Sequence, residues 1–301
     1  MKTRIRTLSL LLGSLGLASA PALAQEEPTL GLSVSTLNNP FFVTLVEGAT
    51  IAANEGGAEL LVLDAQDNPS TEAANLEDLI AQGVDAILIN PTDADAVVPS
   101  VLAANDAGIP VFTVDRSSAA GAVVAHVASD NVAGGRLAGE FLCEQLGGTG
   151  EVVELEGIAG TSAARDRGAG FNAYLAEECP GVEVVARQPA NFNRAEGLTV
   201  FENILTSTGP VDGVFAHNDE MVLGAIEATR AASDVSVEDI VFVGFDAVDD
   251  ARAAVAEGSL AATVAQQPAL IGALGVEAAL AYLEGESVRE SVPVDLQLVT
   301  E

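Results

Sequence analysis

Four residues at the ends of apolar runs carry the side chains that could do chemistry. Val84-Asp85-Ala86-Ile87-Leu88-Ile89-Asn90 and Val211-Asp212-Gly213-Val214-Phe215-Ala216-His217-Asn218 both end in an amide. Ile109-Pro110-Val111-Phe112-Thr113-Val114-Asp115 and Ile240-Val241-Phe242-Val243-Gly244-Phe245-Asp246 both end in a carboxylate. Taken singly, each such residue reads as a helix cap. Four in matching positions, with Asn39 after an earlier apolar run, read as polar groups sharing one cleft. Asp115 and Asp246 could in principle serve as the carboxylate pair of a glycosidase. Arg116 argues against that, because a neighbouring guanidinium holds a carboxylate ionised instead of raising its pKa. A neutral, hydroxyl-rich ligand suits the set better. Asp and Asn bond hydroxyls, Arg donates in a planar fork, and Phe covers an apolar ring face.

The aromatic partners are scarce. The chain has 10 Phe, 2 Tyr and no Trp in 301 residues, yet two Phe stand together in Thr36-Leu37-Asn38-Asn39-Pro40-Phe41-Phe42. One reading makes them a staple that pins a helix entry to the core, with Pro40 at the first helical position. The other makes Phe41 and Phe42 an apolar cleft wall with Asn39 as its polar handle.

The elements that must position these residues alternate. Strand-like runs at 29–35, 58–63, 84–89, 109–114 and 122–127 enclose amphipathic stretches near 40–55, 70–82 and 94–107. Gly56-Gly57, Gly83 and Gly108 stop those helices. After a helix near 131–146 the pattern restarts, with strands at 151–155, 182–186, 211–216, 240–243 and 260–264. Helices fall near 162–177, 194–206, 221–232, 248–257 and 269–283, and a terminal strand spans 292–299. The alternation predicts an α/β fold of two doubly wound, mainly parallel sheets. In such sheets ligands bind beyond the carboxyl ends of the strands, where Asn90, Asp115, Asn218 and Asp246 lie.

Residues 1–24 read as an export signal. Lys2, Arg4 and Arg6 precede the apolar run Leu8 to Leu17, and Ala22-Leu23-Ala24 is a small-x-small cleavage site. The net charge is -32, and losing those three cations brings it to -35. Every remaining basic residue is Arg, since Lys2 is the only lysine. Such a surface repels nucleic acid and anionic lipid, and self-repulsion on this scale suits a saline environment that screens it. Cys143 and Cys179 permit one disulfide or two buried thiols. His126 and His217 lack metal-ligand spacing and read as structural. No phosphate-binding loop, nucleophile elbow or dinucleotide fingerprint is present, so no cofactor or metal is expected.

The chain resembles the ribose-binding proteins among the type I periplasmic binding proteins of bacterial ABC sugar importers. The matching stretches run from Ser35-Thr36-Leu37-Asn38-Asn39-Pro40-Phe41-Phe42 through Ile89-Asn90-Pro91-Thr92-Asp93, Val114-Asp115-Arg116 and Ala128-Ser129-Asp130-Asn131. They continue through Gly157-Ile158-Ala159-Gly160-Thr161-Ser162-Ala163-Ala164-Arg165, Asn218-Asp219-Glu220-Met221, Val243-Gly244-Phe245-Asp246 and Pro293-Val294-Asp295-Leu296. The resemblance implies two lobes, 25–129 plus 267–295 and 130–266 plus 296–301, joined by three hinge crossings and closing on a monosaccharide, D-ribose first. It implies that Phe41 and Phe42 face Phe192 across the sugar. Asn39, Asn90, Asp115 and Arg116 would bond hydroxyls from the first lobe, Arg165, Asn218 and Asp246 from the second, and Gln266 from a hinge. Arg167 is left a structural role. The implied partners are a membrane permease and a chemoreceptor, and the implied state is a periplasmic monomer without enzymatic activity. Three departures bear on the choice of sugar: the Asn191-Phe192-Asn193-Arg194 surroundings, His217 in a place associated with Gln, and Ala247 in place of Gly.

Overall fold

The computed structural model describes residues 27–300, so the proposed leader and its cleavage site lie outside the described residues. Two six-stranded sheets form, each flanked by helices. The first contains β1 (Thr29–Val34), β2 (Glu59–Asp64), β3 (Ala86–Ile89), β4 (Val111–Val114) and β5 (Ala125–Ser129). Helices α1 (Pro40–Glu55), α2 (Pro69–Gln82) and α3 (Val98–Asp106) make its crossovers. The second contains β6 (Gly150–Glu156), β7 (Val182–Pro189), β8 (Gly213–Ala216), β9 (Val241–Asp246) and β10 (Ala262–Ala265). Its helices are α4 (Asn131–Gln145), which leads into it, α5 (Ser162–Glu178), α6 (Arg194–Thr208), α7 (Asp219–Ala231) and α8 (Asp249–Ala256). The chain then returns to the first sheet through α9 (Pro268–Leu283) and β11 (Ser291–Val294), and to the second with β12 (Gln297–Val299).

The strand orders are β2-β1-β3-β4-β5-β11 and β7-β6-β8-β9-β10-β12, one pattern used twice. All pairings in them are parallel except β10 with β12. The internal echo seen in the sequence thus pairs β3 with β8 and β4 with β9. The expected terminal strand at 292–299 is two strands. Asp295-Leu296 breaks it, because residues on either side pair with different sheets. The helix expected from residue 94 starts at Val98, after a turn capped by the Asp93 carboxylate, which accepts from the Asp95 and Ala96 amides.

Apolar burial explains the layers. Strands β3, β4, β8 and β10 are buried at every residue, as central strands covered on both faces must be. Helices α4 and α5 pack with their backbones nearly touching: a Cβ on Gly135 would meet the Arg167 carbonyl at 2.1 Å, and one on Gly170 the Val132 carbonyl at 2.0 Å. A disulfide joins Cys143 to Cys179 with Cα atoms 6.2 Å apart, resolving the two readings left by the sequence in favour of a staple between the far ends of those helices.

Candidate functional site

The carboxyl ends of both sheets face each other across a gap that the two lobes have closed. The Ala94 amide donates to the Gly160 carbonyl at 3.0 Å, and the Ser117 amide to the Ser162 hydroxyl at 3.0 Å. Between them lies a tight void, with about 10 Å³ of space for the centres of water-sized spheres, lined by Asn39, Phe41, Phe42, Asp115, Arg116, Ala163, Arg167, Phe192, Asn218 and Asp246.

The loop after β1 supplies the first wall. Asn39 caps α1 by accepting from the Phe41 amide at 3.0 Å, and Pro40 follows at the first helical position. The Phe41 and Phe42 rings meet edge to face with centroids 5.2 Å apart. Both belong to the apolar core of the first lobe and both line the void. The staple and the cleft wall are therefore one structure. Phe192 closes the other side from the loop after β7.

The polar groups are held by strand ends in unusual backbone. Asp115, Phe192 and Asp246 have φ of 61°, 57° and 110°, as do Asn191 and Ala247 beside them at 52° and 56°. Side chains with a Cβ adopt positive φ at a cost, and such residues cluster where geometry matters for function. Asp115 accepts from Asn90 Nδ2 at 3.2 Å through Oδ2. Its Oδ1 is buried with no partner. Arg116 donates to the Pro91 carbonyl and sits 5.0 Å from the Phe42 ring centre and 5.3 Å from that of Phe192, while its buried Nε makes no hydrogen bond among the described residues and lies 3.8 Å from Asp115 Oδ2. Burial pulls its pKa down from the usual arginine value, and Asp115 and Asp67 oppose that.

From the second lobe, Asn218 caps α7 and donates to the Phe192 carbonyl at 3.3 Å, fixing the aromatic loop. Asp246 accepts from Gln266 Nε2 at 2.8 Å. Gln266 lies at the β10–α9 crossing, and its Oε1 is a third buried polar atom without a partner. Burial, and secondarily the charge of Asp115, push Asp246 up to about 7 against the pull of Arg167 and Gln266. Asp219 is fully buried, and its carboxylate accepts from Thr263 Oγ1 at 2.7 Å and the Val248 amide at 2.9 Å. It clamps the turn that presents Asp246, and burial followed by the Asp246 charge raises its pKa.

Two placements correct the sequence expectation. Arg165 is not in the void: its side chain is 61% exposed and pairs with neighbouring Asp166. Arg167, assigned only structural work, is 3% exposed and lines the void. It stands 3.3 Å from Asp246, donates to Asn131 Oδ1 at 2.8 Å and to the His217 carbonyl, and lies 3.8 Å from the Phe245 ring centre. Helical spacing carried the signal: Arg167 falls four residues after Ala163 and four before Phe171, on the buried stripe of α5, whereas Arg165 falls off it. Asn90 is also displaced. Its oxygen accepts from the Ser35 amide and hydroxyl, and its nitrogen donates to the Val114 carbonyl and Asp115. It stands behind Asp115 and orients it rather than lining the void. Asp219 and Asn131 were not singled out by their sequence positions, since each reads as an ordinary helix start.

Two lobes closed over a void walled by aromatic rings and edged by buried polar atoms without hydrogen bonds define a receptor for a small polar molecule. The chain belongs to the periplasmic binding protein family, whose domain profile matches residues 30–287. It is 52% identical over 288 residues to the ribose import binding protein RbsB of Haemophilus influenzae, covering 95% of this chain and 96% of that one. It is 50% identical over 282 residues to the Escherichia coli protein of the same name, covering 94% of each. Among solved structures, the Caulobacter myo-inositol binding protein with bound myo-inositol superposes with a TM-score of 0.87 at 32% identity, covering 95% of this chain and 96% of that one. These relatives are binding proteins, not enzymes.

Proposed function

We propose that the protein captures a monosaccharide, D-ribose first, by closure of its two lobes and delivers it to the permease of an ABC importer. The observation that carries this reading is a set of buried atoms with no hydrogen bond among the described residues: Asp115 Oδ1 and Arg116 Nε, from residues that line the void, and Gln266 Oε1, on the side chain that donates to Asp246 beside it. An unpaired buried polar group costs about 1–3 kcal/mol. Two acceptors and a donor so placed suit a ligand whose hydroxyls both donate and accept. Half-identity to two ribose import binding proteins over nearly the whole chain supports ribose. The myo-inositol-binding neighbour supports the second reading, another pentose or a small hexose such as xylose or allose in the same void.

Closure follows from contact with both lobes. Asp115 and Arg116 belong to the first lobe, Arg167 and Asp246 to the second, so only the closed form engages the sugar from both sides. Moving the equilibrium from 1:99 to 99:1 takes roughly 5.5 kcal/mol of preference for the closed form. The sugar leaves unchanged. The product acts in the periplasm as a monomer after removal of residues 1–24, and its closed shape is what a permease, and a chemoreceptor, would read. Calorimetric titration of ligand-free protein in high salt with ribose, xylose, arabinose, allose, galactose and glucose tests the reading. Ribose gives the tightest binding; clear heat with another sugar and none with ribose would sink the ribose assignment.

A further inference from the structure

His217 stands beside the void and takes no part in the sugar contacts just described. Its side chain is 2% exposed. The Gly157 amide donates to Nδ1 at 3.3 Å, and Nε2 lies 2.9 Å from Glu154 Oε1. A backbone N–H only donates, so Nδ1 is the bare nitrogen and Nε2 carries the proton. Both partners fit the neutral ring. Gly157 in turn backs the aromatic wall: a Cβ there would lie 2.0 Å from the Phe192 ring. The main chain at Gly157 therefore lies against the ring that closes the void.

We infer that His217 is a positioning residue whose neutral imidazole pins Gly157 behind Phe192, so that a proton on Nδ1 releases the pin and loosens the sugar. This deepens the sugar-binding reading and rests on it. The added proton would confront the Gly157 N–H, donor against donor. The charged groups around the ring act in both directions. Glu154 on β6 favours the imidazolium, although Arg187 on β7 already occupies it at 2.7 Å with Glu156 3.8 Å from the same Arg187 nitrogen. Arg167 on α5, bound to the His217 carbonyl and paired with Asp246 on β9, opposes a further cation. The remaining neighbours, Phe215, Gly168 and Asn172, are uncharged. His217 also lines a crevice with Glu156, Thr161, Arg165 and Pro189.

His217→Gln supplies the test, because an amide accepts from Gly157 and donates to Glu154 but does not titrate. Ribose titrations run from pH 8 to pH 5, the range where histidines ordinarily change charge. At pH 8 the variant binds within about twofold of the wild type. At pH 5 the wild type binds roughly fivefold more weakly than the variant, the value of one hydrogen bond, beyond what both lose through Asp246. Curves that stay parallel would overturn the inference while leaving the receptor function intact. An absence of ribose binding by the wild type at pH 8 would instead strike the proposed function. A ligand-free measurement keeps the inference testable in that event. In nitrogen-15 NMR spectra the Gly157 amide shifts in step with His217 titration in the wild type and stays still in the variant; an amide that ignores the histidine refutes the pin.

Discussion

Arg167→Ala and Arg165→Ala should behave oppositely, although the two residues are near neighbours on α5. Arg167 is 3% exposed and 3.3 Å from Asp246, and it also holds Asn131 at the start of α4 and covers the Phe245 ring. Removing one partner of a buried ion pair costs roughly 3–5 kcal/mol, because the other charge is left uncompensated. Asp246 is the group with which the arginine pairs and which, on the proposed function, the sugar also addresses. If the lower bound falls on the sugar-loaded state, ~3 kcal/mol at 1.4 kcal/mol per factor of ten weakens ribose binding roughly 150-fold. Arg165 is mostly in solvent and pairs only with Asp166, so its loss changes affinity by no more than about twofold. Calorimetry with ribose gives the affinities, and urea unfolding of the same preparations separates binding from the stability that Arg167→Ala must also lose. Arg167→Lys keeps the charge but not the planar fork and falls between the two. A hundredfold loss in Arg165→Ala beside near-normal binding in Arg167→Ala would refute the placement.

Asp115→Ala should abolish measurable ribose binding and also lower the thermal transition, because it removes the buried partner of Arg116 and Asn90; retained affinity would exclude it from the site. Stability of the sugar-free protein should rise as pH falls from about 8 to 5. Burial pushes both Asp246 and Glu72 up to about 7 from ordinary values of 3.8 and 4.5, so in that window the folded chain holds more protons than the unfolded one. The double variant Glu72→Gln/Asp246→Asn should flatten the slope of urea midpoint against pH. Reduction of the Cys143–Cys179 bridge, which closes a separation of 36 residues, should lower stability by up to about 4 kcal/mol on the chain-entropy account, with ribose affinity nearly unchanged since the bridge lies at the helix ends away from the void. Lowering salt from molar to millimolar should lower the melting temperature, as expected of a net charge of -32 with one lysine in the chain; a flat melting curve would remove the saline reading.

Much of this was legible in the residues because local rules and the global fold agree. Alternation of apolar runs with alanine-rich helices, each stopped by glycine, gave both sheets, and the recurrence of Asn and Asp at strand ends located the cleft. What sequence order could not supply was direction. Arg165 and Arg167 differ by two positions, which on a helix is more than half a turn, and only the buried stripe through Ala163 and Phe171 tells them apart. Asn90 was read as a cleft group from its place at a strand end, but β3 is central, and its amide is consumed by Ser35 and Asp115. The run 292–299 reads as one strand because both halves are apolar; its break at Asp295 arises from pairing with two different sheets, which no local pattern encodes. Phe41 and Phe42 present two alternatives, a core staple or a cleft wall, and the rings both pack in the first-lobe core and line the void.

The most direct test of the account is a crystal structure of the protein with ribose at a resolution that fixes hydroxyl positions. The sugar should lie between the Phe41–Phe42 pair and Phe192, with Asp115 Oδ1, Arg116 Nε and Gln266 Oε1 each within about 3.2 Å of a sugar oxygen. Ribose seated outside the void, with those three atoms still lacking hydrogen bonds, would contradict it.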